Sequence, residues 1–216
     1  MPPPSTNAMN MLDVYIPILT YFRRKRMQRF IRLMAVDHHT SIIDVGGTPF
    51  IWQLIERRPS VTMINMQMPQ SIDENLRMVI ASGMAIPFPD HSFDLCFSNS
   101  VIEHVGDAKA RADFSREVRR VSRRYWVQTP NRNFLVEPHF ICLFLHWLPF
   151  RAKRRLIRYF TVWGLVSRPS QRDVDQALLG ITLLDEQDMR GLFPDAEIIR
   201  ERFLGMVKSL IAVKRT

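Results

Sequence analysis

Cysteine is scarce in this chain of 216 residues: Cys96 and Cys142 are all there is. Two cysteines build neither a disulfide framework nor a cysteine-based zinc site, so the sequence implies no metal. Cys96 stands inside an apolar, strand-like run and reads as a buried structural thiol. Long apolar runs are missing too. The longest, Phe140 to Phe150, is too short to span a bilayer and contains His146. A secretory leader is not evident, because Met11 to Phe22 carries Asp13 and Pro17 and its basic cluster follows rather than precedes it. Cytoplasmic residence is the resulting expectation. Acidic residues are also in deficit, with 21 Asp and Glu against 30 Lys and Arg and a net charge of +9.

The rest of the composition, 46% hydrophobic and 24% charged, is that of a globular chain. A chain of this length forms one domain and buries about 70% of its unfolded surface. The positive charge is clustered in Arg23-Arg24-Lys25-Arg26 with Arg29 and Arg32, in Arg116 to Arg124, and in Arg151 to Arg158. Nucleic acid, an anionic membrane surface and plain solvated helix faces compete to explain it. Two of the clusters adjoin aromatic-rich segments, which favours peripheral contact with a lipid surface or an amphipathic ligand.

Glycine is sparse, with eight in all, and two stand together in Ser41-Ile42-Ile43-Asp44-Val45-Gly46-Gly47-Thr48-Pro49. A strand ends on a carboxylate, passes two glycines and enters a helix. Glycine permits close approach of backbone to ligand. Thr48 suits an N-cap and Pro49 a first helical position. Strand–turn–helix units of this kind mark nucleotide-like ligand sites.

The pattern then alternates. Residues 1–14 read as a disordered N-terminus and 15–216 as one domain, beginning with a basic helix over Tyr15 to Met34. Strands are expected at Ser41–Val45, Val61–Met66, Met78–Ala81, Phe93–Ser98 and Tyr125–Thr129. The first crossover helix spans Pro49–Arg58. Asp107 caps a later helix whose Phe114, Val118 and Val121 form one buried stripe. Residues 132–180 break the rhythm and read as a helical insertion or lid. A helix at Asp185–Leu192 and strands at Ala196–Phe203 and Lys208–Lys214, joined through Gly205, close the chain. Such alternation implies an α/β fold with a Rossmann-like, doubly wound, mostly parallel seven-stranded sheet and a C-terminal antiparallel hairpin. Right-handed crossovers gather the strand-to-helix loops at one sheet edge, where ligands bind.

Three runs carry a resemblance: Asp44-Val45-Gly46-Gly47, Ile86-Pro87-Phe88-Pro89-Asp90-His91-Ser92-Phe93-Asp94-Leu95, and Ser98-Asn99-Ser100-Val101-Ile102-Glu103-His104-Val105. They resemble class I S-adenosylmethionine-dependent methyltransferases, and more narrowly the methyltransferase type 11 group. Residues 40–131 and 183–214 share the likeness. It implies S-adenosylmethionine as cofactor, with Gly46 and Gly47 facing its methionine and ribose part, Thr48 beside them and Asp44 holding the turn. Asn65, with Met66 next to it on the cofactor, stands where the family usually has an acid for the ribose hydroxyls. Ser82, with Gly83 and Met84, stands where an Asp often reads the adenine. Asn99 would lie near the transferred methyl. Thr48 and Phe50 replace the family's second and third motif glycines, and loss of the acids at Asn65 and Ser82 implies weaker cofactor binding.

Methyl transfer to a hydroxyl calls for a base. His139, in Val136-Glu137-Pro138-His139, is the first candidate, with Glu137 placed to orient it. His104, beside Glu103, is the second and also suits a helix start. His146 reads as a satisfied lid histidine, and His38 and His39 as chemically silent. The aromatic insertion with its basic flank suits a small hydrophobic or amphipathic acceptor, methylated at oxygen. Nucleic acid fits poorly: Ser98-Asn99-Ser100-Val101 lacks the Asn-Pro-Pro-aromatic run of base-amino methyltransferases, and neither cysteine has the Pro-Cys setting of carbon-methylating ones. The competing class is a non-catalytic Rossmann-like module that binds anionic membrane or nucleic acid through its basic clusters.

Overall fold

The computed structural model describes residues 6–55, 59–68 and 76–216, with side chains of the first helix described from Thr20 onward. Seven strands form one sheet in the order β3-β2-β1-β4-β5-β9-β8. They are β1 (Ser41–Val45), β2 (Ser60–Asn65), β3 (Leu76–Ile80), β4 (Phe93–Asn99), β5 (Ser122–Pro130), β8 (Glu197–Phe203) and β9 (Met206–Lys214). The first five pair in parallel, β9 runs antiparallel to β5, and β8 folds back on β9. The expected doubly wound sheet with its terminal hairpin is therefore present. The hairpin turns through Leu204 and Gly205, with φ of 48° and 79°, the paired left-handed conformation that two-residue hairpins favour.

Burial runs almost without a break through β1, β4 and β5 because both faces of the sheet are covered. Ile43, Val45, Cys96, Tyr125 and Val127 point to one side and pack with Phe114, Val118 and Val121 of α3 (Ala108–Val121) and Met189 of α7 (Glu186–Leu192). Cys96 is fully buried and unpaired, as its apolar setting implied. The expected Asp107 cap is made, its side chain accepting from the Ala110 amide. On the other side Ile42, Leu95, Phe97 and Trp126 pack against Met27, Phe30 and Met34 of α1 (Thr6–Leu33). Phe30 sits edge-on to Trp52, Phe97 and Trp126. The 27/30/34 spacing is the inner stripe of that helix.

Four expectations need correction. Residues 6–14 were expected to be disordered, but they form the first turns of α1; residues 1–5 lie outside the described set. The crossover helix α2 spans Pro49–Trp52, far short of Arg58. It tightens into three-residue turn bonds, Gln53 to Phe50 and Leu54 to Ile51, a common way to finish a helix. Residues 56–58 of the expected span lie outside the described residues. Thr48 occupies the cap position but makes no side-chain cap hydrogen bond.

The 132–180 insertion is mixed rather than purely helical. It contains a small hairpin, β6 (Val136–Glu137) and β7 (Cys142–Leu143), a 3-10 turn at Leu145–Trp147, and helices α4 (Phe150–Phe160), α5 (Val162–Ser167) and α6 (Gln171–Leu179). Its core is a separate cluster around Phe140, Leu145, Ile157 and Val174. Gly164 lets α5 press against α4, since a Cβ there would collide with the Ile157 carbonyl.

Candidate functional site

The parallel strands end at one edge, and the loops leaving β1, β2, β3, β4 and β5 converge there. The β1 loop turns at Gly46, whose φ of 80° suits glycine and whose amide donates to the Ile64 carbonyl at 2.7 Å. The structure adds a second reason for the glycines, beside room for a ligand. A Cβ on Gly46 would lie 2.5 Å from Val101 Cγ1, and one on Gly47 would collide with the Asp44 carboxylate. The turn is thus packed tightly onto the protein's own side chains.

Asp44 lies beneath this turn, fully buried, rather than in a cavity wall. Its Oδ2 accepts from Trp52 Nε1 at 2.8 Å, while Oδ1 has no partner. Burial pushes its carboxyl up to about 7, against the opposing pull of the Trp52 hydrogen bond. The folded protein therefore holds this proton between about pH 4 and pH 7, where the unfolded chain releases it. Stability should fall as pH rises through that window and level off above it. Asp44→Asn should flatten that slope, as urea midpoints measured from pH 4 to pH 8 would show.

Asn65, at the end of β2, donates from Nδ2 to the Gly47 carbonyl at 3.2 Å and accepts the Met66 amide on Oδ1 at 2.8 Å. An aspartate here would set its carboxylate against the Gly47 carbonyl, which accounts for asparagine at this position. Ser82 Oγ accepts from the Met84 amide at 3.2 Å. Gly83 allows close packing under the loop, since a Cβ would press on Val45 and Phe114.

Two cavities open on this edge. The smaller, of about 330 Å³, is walled by Asn65, Met66, Ser82, Gly83, Met84 and Val101, among others. The larger, of about 540 Å³, takes in Gly47, Thr48, Phe50, Asn99, Gln128 and His139. Both touch Gly46 and Ser100, so they meet at the glycine turn. Apolar walls with a few convergent polar groups, at volumes within the usual range, are what small-molecule sites look like.

Arg26 of α1 enters the larger cavity, and sequence reasoning missed it. Its Nη1 donates to Asn99 Oδ1 and Gln128 Oε1, both at 2.9 Å, and Nε and Nη2 grip Glu201 at 3.3 and 2.7 Å. Ser100 Oγ donates to the same Gln128 oxygen at 3.0 Å. Burial pushes Glu201 up, but Arg26 and Lys208 outweigh it and hold the carboxyl below its ordinary value. Asn99, expected beside the reacting group, does line the cavity, though Arg26 already engages its oxygen.

His139 Nδ1 lies 2.7 Å from Glu137 Oε1, whose other oxygen accepts the Phe140 amide at 2.7 Å. With a carboxylate there, Nδ1 carries the proton and Nε2 keeps its lone pair. Burial pushes His139 down, but the Glu137 hydrogen bond and charge, with Glu103, leave it above its ordinary value. His104 sits on the 3-10 turn Ile102–His104 and meets His139 edge-on with ring centres 4.9 Å apart. Its Nδ1 is 3.3 Å from the Gly180 carbonyl, and burial with the nearby His139 charge pushes it below its ordinary value. Glu103 is buried, with Oε2 accepting from Thr129 Oγ1 at 2.9 Å; burial pushes it up to about 7. Nothing along the chain hints that Glu103 would meet His139, since 36 residues and a strand separate them.

His146 lies in the insertion, as its sequence setting implied. It sits edge-on to Trp147 there, where burial pushes it below its ordinary value against the pull of the Arg132 and Phe134 backbone. His38 and His39 are exposed and stack on each other, away from the cavities.

Residues 50–124 match the family model described as "Methyltransferase domain". The matched span includes the Pro-Phe-Pro-Asp and Ile-Glu-His runs and begins just after the glycine turn. No curated protein matches the chain. Among solved structures, a SAM-dependent methyltransferase from Methanosarcina mazei aligns at 14% identity and a TM-score of 0.51, covering 82% of this chain and 92% of its own. A 1,6-didemethyltoxoflavin-N1-methyltransferase from Burkholderia thailandensis, with that substrate and S-adenosylhomocysteine bound, aligns at 11% identity and a TM-score of 0.55, covering 97% and 87%. A putative methyltransferase from Haloferax volcanii, in complex with its Trm112 activator, aligns at 12% identity and 0.52, covering 89% and 92%. At such identities these structures establish the fold.

Proposed function

We propose that this chain, a class I S-adenosylmethionine-dependent methyltransferase by its matched domain and its fold, methylates an oxygen of a small hydrophobic or amphipathic acceptor. The observation that carries this reading is the meeting of two cavities at Gly46 and Ser100, with His139 on the wall of the larger. S-adenosylmethionine supplies a methyl group on a sulfonium sulfur, which departs as a neutral thioether. The chain must therefore supply alignment and, for a hydroxyl acceptor, activation of the oxygen; no general acid is needed.

Asn65, Met66, Ser82, Gly83 and Met84 would hold the nucleoside end in the smaller cavity. Gly46, Gly47, Thr48 and Asn99 would hold the amino-acid end, with Asn99 fixed from behind by Arg26. Phe134, Val136 and Ile141 give the larger cavity the apolar wall that selects a hydrophobic acceptor. His139, oriented by Glu137, faces that space with the Nε2 lone pair that activates the acceptor hydroxyl. Incubation with methyl-labelled S-adenosylmethionine and a panel of lipophilic phenols, alcohols and amines tests the assignment. Label in an extractable ether product supports it. Label on amines alone overturns the choice of oxygen, and no labelled product with any acceptor overturns the acceptor class.

The insertion also offers a surface for lipid. Phe144, Trp147, Phe150, Tyr159, Phe160 and Leu165 are exposed on it, with Arg151 and Arg155 exposed on α4. No described helix is long and apolar enough to cross a membrane, so contact would be peripheral. The protein should co-sediment with vesicles rich in anionic lipid but not with neutral ones, and high salt should release it. A Trp147→Ser/Phe160→Ser variant should lose that binding.

A further inference from the structure

Deepening the activation step proposed above, we infer that Glu103, His104 and His139 form a binding site for a divalent first-row cation of the Zn²⁺ or Fe²⁺ type. One donor atom from each of the three lies within 4.8 Å of the others. Glu103 Oε1 and His139 Nε2 are 4.0 Å apart. Neither is engaged elsewhere: Oε1 is buried and has no hydrogen-bond partner, and the Glu137 contact leaves Nε2 with its lone pair outward. An ionised carboxylate oxygen buried without a partner is costly unless something binds it.

The surroundings match what metal ligands have around them. A ligating histidine commonly donates its other ring N–H to a carboxylate or backbone carbonyl, which fixes its tautomer. His139 does so to Glu137, and His104 Nδ1 faces the Gly180 carbonyl. Glu103 Oε2 is fixed by Thr129, leaving one oxygen to point at the histidines. Two imidazoles and one carboxylate suit zinc, iron or manganese and leave open coordination positions. Bonds of about 2.1 Å would draw the three donors together by roughly 1 Å, which rotation of the exposed His104 can supply.

The position explains a use. His139 lines the larger cavity and His104 the smaller, so the cation would sit where the two meet. An acceptor hydroxyl taking an open position would lose its proton to solvent more readily, because a bound cation stabilises the oxyanion. His139 would then activate the acceptor through the cation. Its role in turnover rests on the methyl-transfer reading; the binding of a cation does not.

Titrating the metal-free protein with Co²⁺ alone, followed by its visible absorption, and with Zn²⁺ by calorimetry, tests this without cofactor or acceptor. One equivalent should bind, and Glu103→Gln and His139→Gln should each weaken it by at least about 100-fold. The double variant His38→Ala/His39→Ala, which removes the exposed stacked pair, should bind as the parent does. Circular dichroism checks folding; His139 is part-exposed on a loop, so its variant keeps the test informative if Glu103→Gln does not fold. Binding lost only in the His38/His39 variant, equal binding in parent and His139→Gln, or no binding at all overturns the site. Methyl transfer that survives chelation overturns the cation's role in turnover while leaving the methyltransferase reading standing.

Discussion

Valine in place of Gly47 should abolish cofactor binding and destabilise the protein by about 1–3 kcal/mol. The added Cβ has nowhere to go, because the Asp44 carboxylate lies directly beneath it. Asp44 cannot step aside: it is fully buried, and its Oδ2 holds the Trp52 indole. The turn itself must move, carrying with it the Gly47 carbonyl that Asn65 grips. Cofactor affinity, read by competition with a fluorescent nucleoside analogue, should fall by at least about 100-fold, equal to roughly 2.7 kcal/mol. Gly191→Ala is the matched control, because a Cβ there meets nothing within 4 Å. Near-parental affinity and stability in Gly47→Val would mean that the turn is not the rigid element described here.

His139→Gln should lower kcat by about 10²–10⁴-fold while leaving cofactor affinity within a few-fold of the parent. Glutamine keeps much of the side-chain volume but cannot supply an imidazole lone pair to the cavity. Glu137→Gln should lower kcat by about 10–100-fold, since its single amide oxygen can accept from His139 Nδ1 or from the Phe140 amide but not from both. His146→Gln, away from the reacting groups, should leave kcat unchanged. The parallel loss of KM and kcat in His139→Gln, or no loss at all, would move the activating role elsewhere. Either mode of action, direct or through a bound cation, gives the same steep loss in this variant; metal binding separates them.

Much of the sheet was legible because its signal is local. Buried runs such as Ile42-Ile43 and Leu95-Cys96-Phe97, each bounded by turn residues, announce strands wherever they occur, and Asp107 marked a helix start through its side chain alone. The helix stripe at Phe114, Val118 and Val121 was read the same way. What failed lay where tertiary contacts decide. Pro-rich, polar residues at the N-terminus hid the first turns of α1. The one-turn α2 ends where Trp52 turns inward to Asp44, a contact that no pattern along the chain encodes.

The site divides along the same line. Gly46, Gly47, Asn65, Ser82 and Asn99 were named through the methyltransferase resemblance, and they line the two cavities. The second reason for the glycines was not legible, because it depends on Val101 and Asp44 arriving from elsewhere. Arg26 was hidden inside a basic run that looks solvated throughout. One signal could have exposed it: Arg26 lies four residues before Phe30, on the helix stripe that carries the core residues. Glu137 beside His139 was readable as neighbours in sequence, whereas Glu103 joins them only once β5 has returned the chain to the same edge.

Calorimetric titration of the protein with S-adenosylmethionine and with S-adenosylhomocysteine tests the central claim most directly. Expected is one site, with affinity on the order of micromolar for both ligands, and no measurable binding in Gly46→Trp, where the new side chain fills the junction of the two cavities. Absence of binding by the folded parent protein would contradict the claim. The glycine turn, Asn65 and Ser82 would then belong to a fold retained without its cofactor.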